Sequence, residues 1–130
     1  MSIEIGLKGR SETFVTEQNT ATAIGSGLVP VFATPYMVAL MENASANSLL
    51  PYLAEDEGTV GTQLNVAHSS ATPIGMKVWA ESTVTAVEGK KIFFEVVAYD
   101  EHGEIGRGTH ERFIINPERF LAKAQAKLRK

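Results

Sequence analysis

Two kinds of hydrophobic pattern divide the chain. Between Tyr36 and Met41 six consecutive residues are apolar, so that no face of a turn through them is polar, and the first charge is Glu42. A helix apolar all round is one that other structure encloses. Thr34 followed by Pro35 predicts its start: the hydroxyl can cap a free backbone N–H, and proline at the first helical position lacks only a donor that goes unused. The helix is expected over residues 35–50, with Pro51 stopping or bending it. From residue 59 to 115 the period changes to two, the mark of antiparallel strands. Strands are expected at about 59–70, 75–87, 90–99 and 105–115, joined through Ala71-Thr72-Pro73-Ile74, Glu88-Gly89 and Glu101-His102-Gly103-Glu104 as a meander of hairpins.

Two further elements frame this centre. Residues 8–16, rich in Thr and β-branched side chains, read as a short strand. The segment 18–30 around Gly25-Ser26-Gly27 reads as a mobile connection, a plain loop or a lid over the helix start. After the acidic turn Glu55-Asp56-Glu57-Gly58 and the strands, Asn116-Pro117-Glu118 repeats the start signal, and Phe120, Leu121, Ala124 and Leu128 mark an amphipathic C-terminal helix. One apolar helix with about five antiparallel strands predicts an α+β fold in which the sheet curls around the helix. Long strand edges invite a second copy, so a homodimer with a continuous sheet is expected, with a dimer of dimers as a further stage.

At 130 residues and 44% hydrophobic, the chain suffices for a single domain spanning 1–130 and not for two. The absence of cysteine excludes disulfides and thiolate ligands and fits a reducing cytoplasm, the expected location. The N-terminus has no signal-peptide pattern and no apolar run reaches spanning length, so no membrane partner is expected. With 12 Lys+Arg against 15 Asp+Glu, a net charge of −3 gives no general attraction for nucleic acid. Basic residues gather only at Lys123, Lys127, Arg129 and Lys130, a solvated helix end or a place for anionic phosphates.

Alternation then selects among the histidines. Val60, Leu64 and Val66 form the bulky apolar set of the first long strand, and His68 shares their parity, pointing toward the layer of the helix. His102 lies in a turn, and His110 alternates opposite to Phe113 and Ile115, making both weaker candidates. A core histidine satisfied by a backbone carbonyl is the plain alternative for His68, and a solvent-facing or structurally paired carboxylate is that for Glu42. If the two meet in a dry pocket, they make a carboxylate–imidazole pair able to attack, or to activate water against, an electrophilic carbonyl. Thr34 lies eight residues before Glu42, about 12 Å along a helix, too far for a direct bond, and its role as a cap already accounts for it. No nucleophile elbow, phosphate-cradling loop or metal-ligand spacing is present, and neither cofactor nor metal is expected.

Several of these residues recur together in one family. Val31-Phe32-Ala33-Thr34-Pro35, Val38-Ala39-Leu40-Met41-Glu42, Gly61-Thr62 with His68 before Ala71-Thr72-Pro73-Ile74-Gly75, and Gly108-Thr109-His110-Glu111-Arg112-Phe113 resemble the hot-dog-fold thioesterases of the fluoroacetyl-CoA thioesterase type. The resemblance covers about residues 11–120. It implies a hot-dog fold of five strands around one long helix, a homodimer with the acyl site near the subunit interface, and hydrolysis of an acyl-CoA thioester. It places the catalytic set on Thr34, Glu42 and His68, and residues lining the acyl pocket on Gly61 and Arg112. Where the fluoroacetyl-specific pattern has a longer, aromatic-bearing segment before the helix, Ile24-Gly25-Ser26-Gly27-Leu28 has no aromatic, so a small or short-chain acyl group is expected. The alternative is a non-catalytic hot-dog module that binds acyl-CoA or an acyl carrier protein. A hydratase of the same fold lacks support, because no Asp and His stand close together on a loop–helix segment.

Overall fold

The computed structural model describes residues 2–129. Strand β1 (Lys8–Phe14) is followed by a short helix α1 (Ala21–Ile24), the long helix α2 (Thr34–Leu49), strands β2 (Gly58–His68), β3 (Lys77–Glu88), β4 (Lys91–Asp100) and β5 (Gly103–Ile115), and helix α3 (Pro117–Gln125). The strands form one antiparallel sheet in the order β1-β3-β4-β5-β2. This is the α+β hot-dog arrangement, but only β3, β4 and β5 form a meander. The expected hairpin between the strands at 59–70 and 75–87 does not exist: β2 pairs with β5, and the 71–74 segment carries the chain across the ends of two strands to β3. Ser69 and Ser70 remain tied to the Ile105 carbonyl, so β2 stays on β5 until the crossing begins.

Helix α2 lies against the sheet through Met37, Leu40, Met41, Ala44 and Leu49, which pack with Ile92, Phe94, Val96 and Ile105. Contrary to the expectation of complete enclosure, the opposite side of the helix is open in the single chain: Tyr36 is 41% exposed, and Ala39 and Asn43 are exposed. The run of apolar residues is therefore longer than the face that the sheet can cover. Helix α2 begins after Ala33, whose side chain cannot cap, and Thr34 is its first residue rather than its cap. Leu50–Tyr52 form a 3-10 turn around Pro51.

Segment 18–30 is more structured than its glycines suggest. Thr16 and Asn19 exchange capping hydrogen bonds around a 3-10 turn, and Thr20, 2% exposed, caps α1 through its hydroxyl. Bridges Thr20 to Phe32 and Val31 to Pro73 then deliver the chain to α2. At the other end Asn116 caps α3 as expected, its side chain accepting from the Arg119 N–H. All of α3 is exposed in the single chain.

Candidate active site

The helix and the edge strand β2 bring the sequence-selected side chains into two clusters. The first lies at the start of α2. With the cap position taken by Ala33, the Thr34 hydroxyl is free, and its Oγ1 lies 2.7 Å from His68 Nδ1. His68 is the last residue of β2 and points inward on the parity of Leu64 and Val66. Its Nε2 is buried with no hydrogen-bond partner among the described residues. Burial pushes the His68 pKa below the ordinary imidazole value, with the Ser70 backbone opposing. A neutral ring against a hydroxyl is an arrangement for taking up or passing on a proton. A cavity of about 270 Å³ opens here, lined among others by Val31, Phe32, Thr34, His68 and Ser70.

The second cluster is built around Glu42, two turns further along α2. Its Oε2 lies 3.7 Å from Arg112 Nη1 on β5. Gly61 on β2 lies directly beneath it: a Cβ there would stand 2.6 Å from Glu42 Oε2, 3.1 Å from His110 Cε1 and 3.4 Å from Arg112 Nη1. Only glycine leaves room for the carboxylate to sit on the strand. The Glu42 side chain is 41% exposed while that of Arg112 is 9% exposed, so the carboxylate occupies the open mouth of a cleft with the guanidinium at its base. Burial lowers the Arg112 pKa and Glu42 opposes this, but a guanidinium stays charged.

Gly61, Glu42 and Arg112 are thus brought together, as are Thr34 and His68, while the expected contact between Glu42 and His68 does not form within one chain. Gly61 and His68 are seven residues apart on β2, roughly 23 Å at about 3.3 Å per residue. The expectation that His110 faces away from the core is also corrected. His110 is 3% exposed and Arg112 8%, whereas Phe113 is 37% exposed. Phe113 and Ile115 stand where the sheet ends and give a false parity. Beyond Ile105, where the register with β4 shifts, the inward set of β5 is Gly106, Gly108, His110, Arg112 and Ile114, in which Gly106 makes way for Met37, whose sulfur would lie 2.7 Å from a Cβ. Two glycines in step with Ile114 were the sequence signal for that face.

Among the described residues no group of three or more His, Cys, Asp or Glu could hold a metal ion. Nor, among the described residues, is any helix long and apolar enough to cross a membrane.

Comparison with known proteins places the sequence and the fold in one family. A family model described as fluoroacetyl-CoA-specific thioesterase, FlK, matches residues 15–118. A fluoroacetyl-CoA thioesterase from Streptantibioticus cattleyicolor is 45% identical over 97 residues, 75% of this chain and 70% of the relative. Among solved structures, the fluoroacetyl-CoA thioesterase FlK superposes with a TM-score of 0.93 at 35% identity, over 98% of each chain. A thioesterase superfamily member from Thermus thermophilus gives 0.86 at 31% identity, over 95% of this chain and 91% of its own. With its sheet order, its central helix and most of its length matched, the chain belongs to the fluoroacetyl-CoA-specific thioesterase family.

Proposed function

We propose that the protein is an acyl-CoA thioesterase, hydrolysing a small or short-chain acyl-CoA to the free acid and CoA at a site shared between two subunits, and that Thr34, Glu42 and His68 carry the reaction. The observation behind it is the separation of the Glu42–Arg112–Gly61 cluster from the Thr34–His68 pair along one strand that is itself a sheet edge. Strand β1, the other edge, carries Lys8, Arg10 and Glu12, charges that discourage pairing; from Gly58 to Ala67, β2 carries none. Antiparallel pairing of two copies of β2 about a two-fold axis near its middle sets the end of one strand beside the start of the other. His68 of the partner subunit then comes beside Gly58–Gly61, and so to Glu42. The exposed side of α2 is covered by the same association.

In that site the Glu42 carboxylate either attacks the thioester carbonyl, expelling CoA and leaving a mixed anhydride that water then hydrolyses to the free acid and Glu42, or activates water to attack the carbonyl directly. Arg112 stands where negative charge accumulates, and Gly61 leaves the acyl group room. The neutral His68 ring handles the proton with the Thr34 hydroxyl, so that sulfur leaves as CoA thiol and the added oxygen stays on the free acid. The lack of an aromatic in 24–28 supports a general small acyl group over a fluorinated one. A soluble cytoplasmic enzyme is consistent with a chain free of cysteine.

Glu42→Gln and His68→Ala should each abolish most CoA release from a panel of acyl-CoAs graded in chain length. Mixed after dissociation, the two variants should regain about a quarter of wild-type activity, because half the dimers are mixed and each mixed dimer has one intact site of two. Failure of the mixture to regain activity would reject the shared site. Full activity of Glu42→Gln would reject the carboxylate's role. Binding of acyl-CoA without any CoA release by the wild-type protein would favour the non-catalytic module.

A further inference from the structure

The inward face of β5 carries a second imidazole that the reaction above does not use. His110 Nε2 lies 3.2 Å from Arg112 Nη1, and its Nδ1 lies 2.9 Å from the Gln63 carbonyl on β2. A guanidinium can only donate and a carbonyl can only accept. Nε2 must therefore accept and Nδ1 must carry the proton, so the two contacts together specify one neutral tautomer. The ring is stacked on Phe94 of β4, with centroids 5.9 Å apart and planes 28° apart. Arg112 is held from the other side by β2, its Nε donating to Thr59 Oγ1 at 2.9 Å and its Nη2 to the Thr59 carbonyl at 3.1 Å. The guanidinium thus has partners on both flanks, and Nη1 is turned between His110 and the Glu42 carboxylate.

We propose that His110 is a positioning residue for the thioester reaction: by accepting a hydrogen bond from Arg112 it fixes the guanidinium against Glu42, and it can do so only as the neutral imidazole. This rests on the reading of Glu42 as the reacting carboxylate. Protonation would turn the accepting nitrogen into a donor facing a cation, releasing Arg112 from that side. The groups around the ring are balanced toward the neutral form. Burial lowers its pKa and Arg112 adds to this, while the Gln63 carbonyl, Glu42 from α2 and Glu111 on the same strand act in the other direction.

Two substitutions separate positioning from packing. His110→Phe keeps a ring on Phe94 and removes both nitrogens, whereas His110→Gln places an amide oxygen near the position of the accepting nitrogen. His110→Phe should lower kcat by about tenfold or more with KM changed by less than about threefold, and His110→Gln should restore most of kcat. Nitrogen NMR of the wild-type protein should show His110 neutral and protonated on Nδ1 at neutral pH. The Arg112 Nη1–H protons, which face His110 Nε2, should exchange slowly in wild type and His110→Gln, and be lost or fast in His110→Phe, while the Nε–H held by Thr59 stays protected in all three. Wild-type kcat in a folded His110→Phe variant, protonation of His110 on Nε2, or an Arg112 signal indifferent to both substitutions would overturn the proposal. Should wild-type protein release no CoA from any acyl-CoA, the reaction itself is refuted. The NMR signals then still decide whether His110 holds Arg112.

Discussion

Thr34 stands before a proline, where a hydroxyl usually serves the helix, yet α2 begins one residue earlier and the hydroxyl bonds to His68 instead. Proline's fixed φ already favours the helical start, which leaves the threonine available for chemistry. Gly61 shows the opposite relation, a residue without a side chain that determines where another one lies. A methyl group there would meet the far end of the Glu42 side chain at 2.6 Å, and that end is free to swing toward solvent. Gly61→Ala should therefore cost only about 1–2 kcal/mol by urea unfolding, because the carboxylate clears the methyl by rotation while the buried His110 ring, 3.1 Å from it, must give by a few tenths of an ångström. It should nonetheless reduce kcat by at least about tenfold, because the carboxylate leaves Arg112. Unchanged turnover would show that the position of Glu42 does not depend on this glycine.

The elements that carry Thr34 and His68 are fastened to each other by the loop after β2. Thr72, fully buried, donates to Asp100 Oδ2 at 2.8 Å, and its carbonyl accepts from the Phe32 N–H at 2.9 Å, two residues before Thr34. Asp100 Oδ1 also accepts from the His102 N–H at 2.8 Å. Asp100→Ala would leave a buried hydroxyl without a partner, and should cost about 1–3 kcal/mol in urea unfolding, with Asp100→Asn costing less. A Tm equal to wild type would show that Thr72 finds another partner. At this scale the sequence was readable where the signal is local: α2 and α3 from their proline starts and the four long strands from alternation, each within a few residues. Strand order was not, since the pairing of β2 with β5 joins residues such as Leu64 and His110 through contacts no local period encodes. The same limit hid His110, whose parity had to be counted from Gly106 and Ile114 rather than from the aromatic at the strand's end.

At the scale of the molecule, the three residues that sequence resemblance groups as one set occupy two separate places, because the fold spreads them along a helix and an edge strand. Their identities were legible; the separation of Glu42 from the other two follows only from the fold, and the proposed sharing between two subunits only from knowing which strand is the edge. Two imidazoles, the buried His110 and the half-buried His68, also tie these sites to the stability of the whole. His68 and His110 both have pKa values lowered from 6.5, in each case chiefly by burial. On acidification through about 6.5 the unfolded chain takes up protons that the folded chain still refuses, so the unfolded state binds more protons and stability falls as pH falls. Above that value both imidazoles are neutral in either state and contribute no slope. The carboxylates with shifted pKa, Glu12 and Glu104, are lowered from 4.5 by their arginine and lysine partners and act only below that value, leaving the interval between 4.5 and 6.5 to the histidines. Thermal unfolding should accordingly give a level Tm from pH 8 to about 7 and a declining one between about 6.5 and 5. In His110→Gln the decline should be shallower, because one of the two groups is gone. A Tm independent of pH across that interval, or a slope in the variant as steep as in wild type, would mean that these rings gain protons as readily in the folded chain as in the unfolded one, and that neither is held neutral by its surroundings.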